Sequence, residues 1–212
     1  MRVLIFGATG ASGRLTTQRA LATGHDVTVY VRNPTKVSAS HPRLSVVKGE
    51  LNDAATIQKT MVGQEAVISL LGPSGKSEGM TYSTATRTIV DAMRSAGVRR
   101  LIATATPSAR DPHDRFSLPF WLAVRMIKLV AGTAYEDLSA LGDVVRGSGL
   151  DWTLARLPML TDAPAQNPAA AGYVGDPRIK LFSLSRSSLA DFLVGQLTDT
   201  NWRSKAPALS NG

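Results

Sequence analysis

An apolar run, Val3-Leu4-Ile5-Phe6, passes directly into Gly7-Ala8-Thr9-Gly10-Ala11-Ser12-Gly13, and a helix-like stretch over Leu15–Thr23 follows. A glycine string alone marks little more than a turn. Placed between a strand and a helix, it is the arrangement that cradles a dinucleotide. Gly7 permits the sharp turn out of the strand. Gly10 leaves no Cβ between the backbone and a pyrophosphate, and Gly13 lets helix and strand pack closely. The helix start presents N–H groups and a positive dipole end to phosphates. Gly7, Thr9, Gly10, Ala11, Ser12 and Gly13 are therefore the expected phosphate-binding residues, with hydroxyl donors from Thr9 and Ser12. The alternative is a tight turn that holds no ligand.

The rest of the first half repeats the pattern. Short apolar runs at Val27–Val31, Leu44–Val47, Ala66–Leu70 and Leu101–Ala105 read as strands. Between them lie a helix over Ala54–Met61, capped by Asp53, and one over Thr81–Ala96 that stops at Gly97. Strands alternating with helices imply right-handed crossovers and a parallel sheet. Near-continuous apolar strands imply helices on both faces. The expected fold is α/β, a Rossmann-like doubly wound parallel sheet. It forms a single domain over 1–212 with a small substrate-side part toward the C-terminus. The second half predicts helices over Phe120–Val130 and Glu136–Arg146, a strand at Trp152–Ala155 and a short strand at Ile179–Leu184. A final helix through Leu197 is capped by Ser187 or Ser188. Residues 161–177, rich in Pro and Gly, read as a long loop. With residues 107–135 they are the expected substrate-side insertions.

Composition narrows the function. The chain has 212 residues with a formal net charge of +8. Residues 1–130 hold 17 basic against 8 acidic side chains, whereas 131–212 hold 7 against 8. The positive excess thus accompanies the expected phosphate-binding half. No basic helix or aromatic-basic motif points to nucleic acid. Cysteine is absent and the three histidines are scattered, which argues against a disulfide framework and a metal centre. Met1 leads straight into the first strand, and the apolar stretch Leu118–Ala131 is broken by Pro119, Arg125 and Lys128. It falls short of the ~20 apolar residues of a membrane span. A cytoplasmic protein without a leader is expected.

An NAD-preferring site carries an acidic residue after the second strand, to accept the ribose hydroxyls. Here Val31 is followed by Arg32-Asn33, with Lys36 beyond. Arg32 stacked on adenine and paired with a 2′-phosphate predicts NADP as cofactor; the alternative is a solvated surface arginine. Gly49-Glu50-Leu51 ends the third strand, where the adenine of such a ligand lies. Glu50 can accept from the adenine amine while Leu51 packs the ring, or Glu50 is a surface or helix-capping carboxylate. Leu70-Leu71-Gly72-Pro73 ends the fourth strand, near the pyrophosphate and ribose.

The chain resembles the atypical short-chain dehydrogenase/reductases with NAD(P)H-binding domains, and among them the flavin reductase/biliverdin-IXβ reductase type. The likeness rests on Ile5-Phe6-Gly7-Ala8-Thr9-Gly10, Val29-Tyr30-Val31-Arg32, Val67-Ile68-Ser69-Leu70-Leu71-Gly72 and Ser148-Gly149-Leu150. Gly172-Tyr173, Ser185-Arg186 and Leu189-Ala190 extend it. The resemblance implies that Arg32 and Lys36 bind the 2′-phosphate and that Glu50, Leu51 and Gly72 line the cofactor. It also places Thr104 and Thr106 after the fifth strand, with Thr106 as the orienting hydroxyl beside the nicotinamide and Pro158 under it. Two departures stand out: Met159 occupies a histidine position of that type, and the segment between Thr106 and Asp137 is longer.

The superfamily's usual proton donor, Tyr-x-x-x-Lys, is missing. Tyr30, Tyr82, Tyr135 and Tyr173 are followed four residues on by Pro34, Thr86, Ser139 and Pro177. His113, in the polar run Asp111 to Asp114, is either an acid near the pocket or part of a surface turn. Two functions remain open. One is hydride transfer from NADPH to a small-molecule acceptor, flavin-like or otherwise conjugated, which needs chiefly stacking and orientation. The other is a non-catalytic NADPH sensor that binds a partner.

Overall fold

The computed structural model describes residues 1–72, 82–107, 109–117, 120–121, 125, 136–164, 168–180 and 183–211. Its main sheet takes β1 (Arg2–Phe6), β2 (Asp26–Val31), β3 (Leu44–Lys48), β4 (Ala66–Ser69), β5 (Arg100–Ala105) and β6 (Asp151–Arg156). Two short strands, β8 (Ala170–Gly172) and β10 (Ala208–Ser210), complete it in the order β3-β2-β1-β4-β5-β6-β10-β8. All neighbours run parallel except β8 and β10. A separate pair joins β7 (Met159–Thr161) to β9 (Ser183–Ser185), with Thr161 opposite Ser185.

The apolar strand sequences divide cleanly between two cores. In β1, Leu4 and Phe6 face one side and Val3 and Ile5 the other. The first side is covered by α2 (Ala54–Met61), α3 (Tyr82–Ser95) and α4 (136–146), through Ile57, Ile89, Met93 and Leu141. The second is covered by α1 (Ala11–Ala22) and α5 (Arg186–Gly195), through Ala20, Leu21, Leu189 and Leu193. Apart from Leu21, the buried face of α1 is made of small residues at helical spacing, Gly13, Thr16, Thr17 and Ala20. Small side chains let the helix lie close to the sheet and to α5, and Arg19 reaches Asp191 of α5 at 2.7 Å. This is the doubly wound Rossmann-like α/β fold expected. Among the described residues, no helix is long and apolar enough to cross a membrane.

The second half departs from expectation in instructive ways. The loop expected over 161–177 contains β8, whose Ala-Ala-Gly sequence has no strand signature and pairs only because β10 lies beside it. The strand expected at Ile179–Leu184 is instead β9, shifted to Ser183–Ser185, while Ile179 is buried against Val174 and Ala208. The cap of α5 is Ser185, not Ser187 or Ser188; its hydroxyl accepts from the Ser188 N–H at 3.2 Å. Helix α1 begins at Ala11 rather than Leu15, directly after Gly10. The expected helix over Phe120–Val130 and the candidate Tyr135 fall almost wholly outside the described residues.

One ionic knot ties the segments around Asp114 and Val174 to the end of β6. Arg156, at the end of β6, is fully buried, and Asp114 nearly so. Two guanidinium nitrogens donate to the two Asp114 oxygens at 2.5 and 2.7 Å. The same carboxylate accepts from the Val174 and Asp111 N–H groups at 3.0 and 2.9 Å. Asp114 is thus a buried anchor rather than the cap of a surface turn. Burial pushes its carboxyl upward, but the Arg156 and backbone hydrogen bonds outweigh this and leave it below its ordinary value.

Candidate nucleotide site

At the carboxyl ends of β1 to β6 lies a cavity of about 610 Å³. That size is typical of a small-molecule or cofactor site. The whole loop Gly7–Gly13 lines it, with Arg32, Glu50, Leu51, Leu71, Gly72, Thr104, Thr106 and Pro158. Residues far apart in sequence, each singled out at the end of its own strand, thus converge on one space. Lys36 does not join them; it is exposed on the 3-10 turn Pro34–Lys36.

The glycine loop is shaped by contact. Gly7 has φ +80°, a backbone region costly to other residues. A Cβ on Gly13 would stand 2.1 Å from the Gly7 carbonyl oxygen and 2.7 Å from Ala8 Cα. Gly10 differs: its φ of −71° is ordinary, and its Cβ would meet only the Gly7 carbonyl oxygen, at 3.4 Å. A Cβ on Gly72 would meet no atom within 4 Å among the described residues beyond its chain neighbours. The packing of the described residues does not require glycine at position 10 or 72.

The start of α1 suits an anion. No side chain caps it, and no acidic residue stands in its first turn. By contrast, α2 is capped by Asp53 and α5 by Ser185. Uncapped N–H groups and the positive dipole end thus face the cavity together.

Beside Arg32 and Glu50 the cavity is also lined by Tyr30, whose role the sequence does not mark. Its hydroxyl donates to the Glu50 carbonyl at 2.9 Å, and its ring packs on Phe6 at 5.3 Å between centroids. Burial, reinforced by Asp53 and Glu50, pushes its pKa up to about 12, so the phenol stays protonated and holds this bond. The available signal was Gly49, where a Cβ would lie 2.1 Å from the Tyr30 hydroxyl. Helix α3 enters the wall through Tyr82 and Ala85. Asp137 of α4 fixes its start by accepting from the Tyr82 and Ser83 N–H groups at 2.7 and 3.1 Å.

At the other end, Leu157, Pro158, Leu160 and Leu189 make an apolar wall, and Arg186 is its cation. Met159, between Pro158 and Leu160, turns outward and is 74% exposed. Thr104 is buried, and its hydroxyl donates to the Ser69 carbonyl at 3.4 Å. His113 lies outside the cavity: its ring stacks on Tyr173 at 4.9 Å and meets Asp111 at 2.8 Å. Among the described lining residues there is no histidine, lysine or aspartate.

Both the fold and the sequence have known relatives. A UPF0659 protein of Schizosaccharomyces pombe is 29% identical over 227 residues, covering 93% of this chain and 90% of its own length. ChuY, an anaerobillin reductase from Escherichia coli O157:H7, superposes with a TM-score of 0.80 at 20% identity, over 100% of this chain and 97% of its own. A short-chain dehydrogenase/reductase from Veillonella parvula, solved in complex with NADP, gives 0.75 at 18% identity, over 99% and 94%. At these identities the structural likeness speaks for the fold. The sequence itself matches the NAD(P)H-binding family model over residues 7–200, from the first glycine of the loop to beyond α5, and the chain belongs to that family.

Proposed function

We propose that this protein is an NADPH-dependent reductase of the atypical short-chain dehydrogenase/reductase type, which passes hydride to a flavin-like or other conjugated organic acceptor. The observation that carries the reading is the single cavity, with a glycine-rich anion cradle in the middle, Arg32 at one end and an apolar wall at the other. The cofactor, when bound, supplies the hydride. The protein's part is to hold and orient. The loop amides and the start of α1 neutralise the pyrophosphate. Arg32 pairs with the 2′-phosphate, and Lys36 reaches it only by swinging in from the surface. Glu50 and Leu51, braced by Tyr30, receive the adenine; Leu71 and Gly72 border the ribose. Thr104, Thr106 and Pro158 form the nicotinamide end, where the Thr106 hydroxyl orients the ring. The segments 107–135 and 161–177 follow the ends of β5 and β7 and flank the acceptor. A cytoplasmic location fits the cysteine-free composition.

The second reading, an NADPH sensor without turnover, is favoured by one observation. The described cavity wall offers no Tyr–Lys pair, and the Tyr30 hydroxyl is committed to Glu50. The two readings part in one experiment. The protein is mixed with NADPH and a panel of flavins and quinones, and the nicotinamide absorbance is followed. Turnover supports the reductase. Tight NADPH binding with no oxidation by any acceptor overturns it in favour of the sensor.

A further inference from the structure

Arg186 is the first residue of α5, and its side chain forms part of the cavity wall beside Pro158, Leu160 and Leu189. Its side chain is 23% exposed, and the guanidinium meets the Asp162 carboxylate at 2.8 Å. The Asp162 side chain is 85% exposed. Water screens such a pair, so it contributes little, and a ligand anion can displace it at small cost. A planar guanidinium is also the side chain best matched to an oxyanion, through two parallel hydrogen bonds.

Its place in the fold indicates which anion. Arg32 follows β2, and four strand spacings separate β2 from β6, about 19 Å. Arg186 follows β9, whose partner β7 begins just beyond β6 and Pro158. Arg186 and Arg32 therefore serve opposite ends of the cavity. Asp162 also opens the segment 161–177 that flanks the acceptor in the reading above. We propose that Arg186 is the anion-binding, specificity-determining residue of the acceptor site, so that the preferred acceptor joins a flat apolar ring system to a phosphate or carboxylate. The inference rests on the reductase reading but is tested apart from it. Because α5 runs alongside α1, the rival source of the same oxyanion is the cofactor's own pyrophosphate, and the test separates the two.

FMN and riboflavin share one ring system and differ by a phosphate. Their affinities for the NADP⁺-saturated protein are read by quenching of flavin fluorescence, and NADPH affinity is read separately. The wild type is expected to prefer FMN. Arg186→Gln should weaken FMN by about ten- to a hundredfold, with riboflavin and NADPH within about twofold. Arg186→Lys keeps the charge without the fork and should fall between; it carries the test if the glutamine variant does not fold. Asp162→Asn should leave FMN binding unchanged or tighter. Equal affinity for the two flavins in the wild type, or no measurable FMN binding, overturns the proposal. So does a loss in Arg186→Gln that falls on NADPH instead of FMN, which would assign the arginine to the pyrophosphate. FMN-selective binding without any hydride transfer would sink the reductase reading and leave the anion site standing.

Discussion

The two inner glycines of the loop should respond oppositely to one added methyl group. In Gly13→Ala the new carbon would sit 2.1 Å from a carbonyl oxygen, with Ala8 Cα and the Gly7 carbonyl carbon at 2.7 and 2.8 Å. All three are backbone atoms, and ordinary contact needs about 3.4 Å or more. Helix α1 must therefore move off β1 by about an ångström. Overpacking of this kind costs about 1–3 kcal/mol, and at this chain length each kcal/mol lowers Tm by roughly 2–4 °C. Gly10→Ala is another matter. Its φ and ψ of −71° and 163° suit alanine, and the one protein contact is at 3.4 Å. Removing glycine restricts the unfolded chain and stabilises by about 0.4–1 kcal/mol, while alanine is a poorer helix cap by a similar amount. The terms nearly cancel, so Tm should stay within about 3 °C of the wild type. The methyl group nevertheless fills the space assigned to the pyrophosphate. NADPH affinity should fall at least tenfold, about 1.4 kcal/mol. Thermal melts and NADPH titrations on the two variants test this directly. A Gly10→Ala protein that binds NADPH as well as the wild type would refute the placement of the pyrophosphate against this loop.

Three further outcomes are expected. Arg32→Ala should weaken NADPH more than NADH by ~1.5–3 kcal/mol, the worth of a charge-assisted contact; equal losses in paired titrations would remove Arg32 from the 2′-phosphate. Thr106→Val should slow single-turnover hydride transfer only severalfold, since one neutral hydrogen bond is worth ~1 kcal/mol. A drop of ~10²–10⁴-fold would instead mark it as part of a proton relay. Asp114→Asn leaves the Arg156 charge buried without its counter-ion and should cost about 3–5 kcal/mol in urea unfolding near neutral pH. Because the Asp114 carboxyl lies below its ordinary value in the fold, its contribution is fully present above the ordinary aspartate value of 3.8 and is lost as pH falls beneath it. The wild-type advantage over Asp114→Asn should therefore shrink in acid unfolding below that pH, and a constant difference would contradict the linkage.

The first half of the fold was legible because each strand carries its own evidence. Val3–Phe6 is apolar throughout and Leu101–Ala105 is apolar but for Thr104, as strands covered on both faces of a parallel sheet should be. The glycine loop was legible because one residue type recurs at three fixed positions, 7, 10 and 13, between a strand and a helix. Both kinds of signal fade after β5. Strands β8 and β10 have three residues each, too few to show a period, and exist by virtue of their neighbours. The Arg156–Asp114 pair joins positions 42 apart in sequence, and nothing local in either announces a buried charge. Arg186 sits in a polar helix start where any arginine would look solvated. Tyr30 was half visible: its ring belongs to a strand, but its bond to Glu50 is readable only through the glycine that makes room for it.

The position of β10 also sets an order of assembly. Strands β1 to β5 all come from residues 2–105, with short connections, and can pair as they are made. Strand β10, residues 208–210, lies between β6 and β8 and pairs with both. The side chain of Asn211 then accepts from the Ser185 N–H and donates to the Ser188 hydroxyl, locking the start of α5. The side of the cavity that carries Arg186 is therefore complete only when residues 208–211 are in place, whereas the glycine loop and strands β1 to β5 draw on residues 2–105 alone.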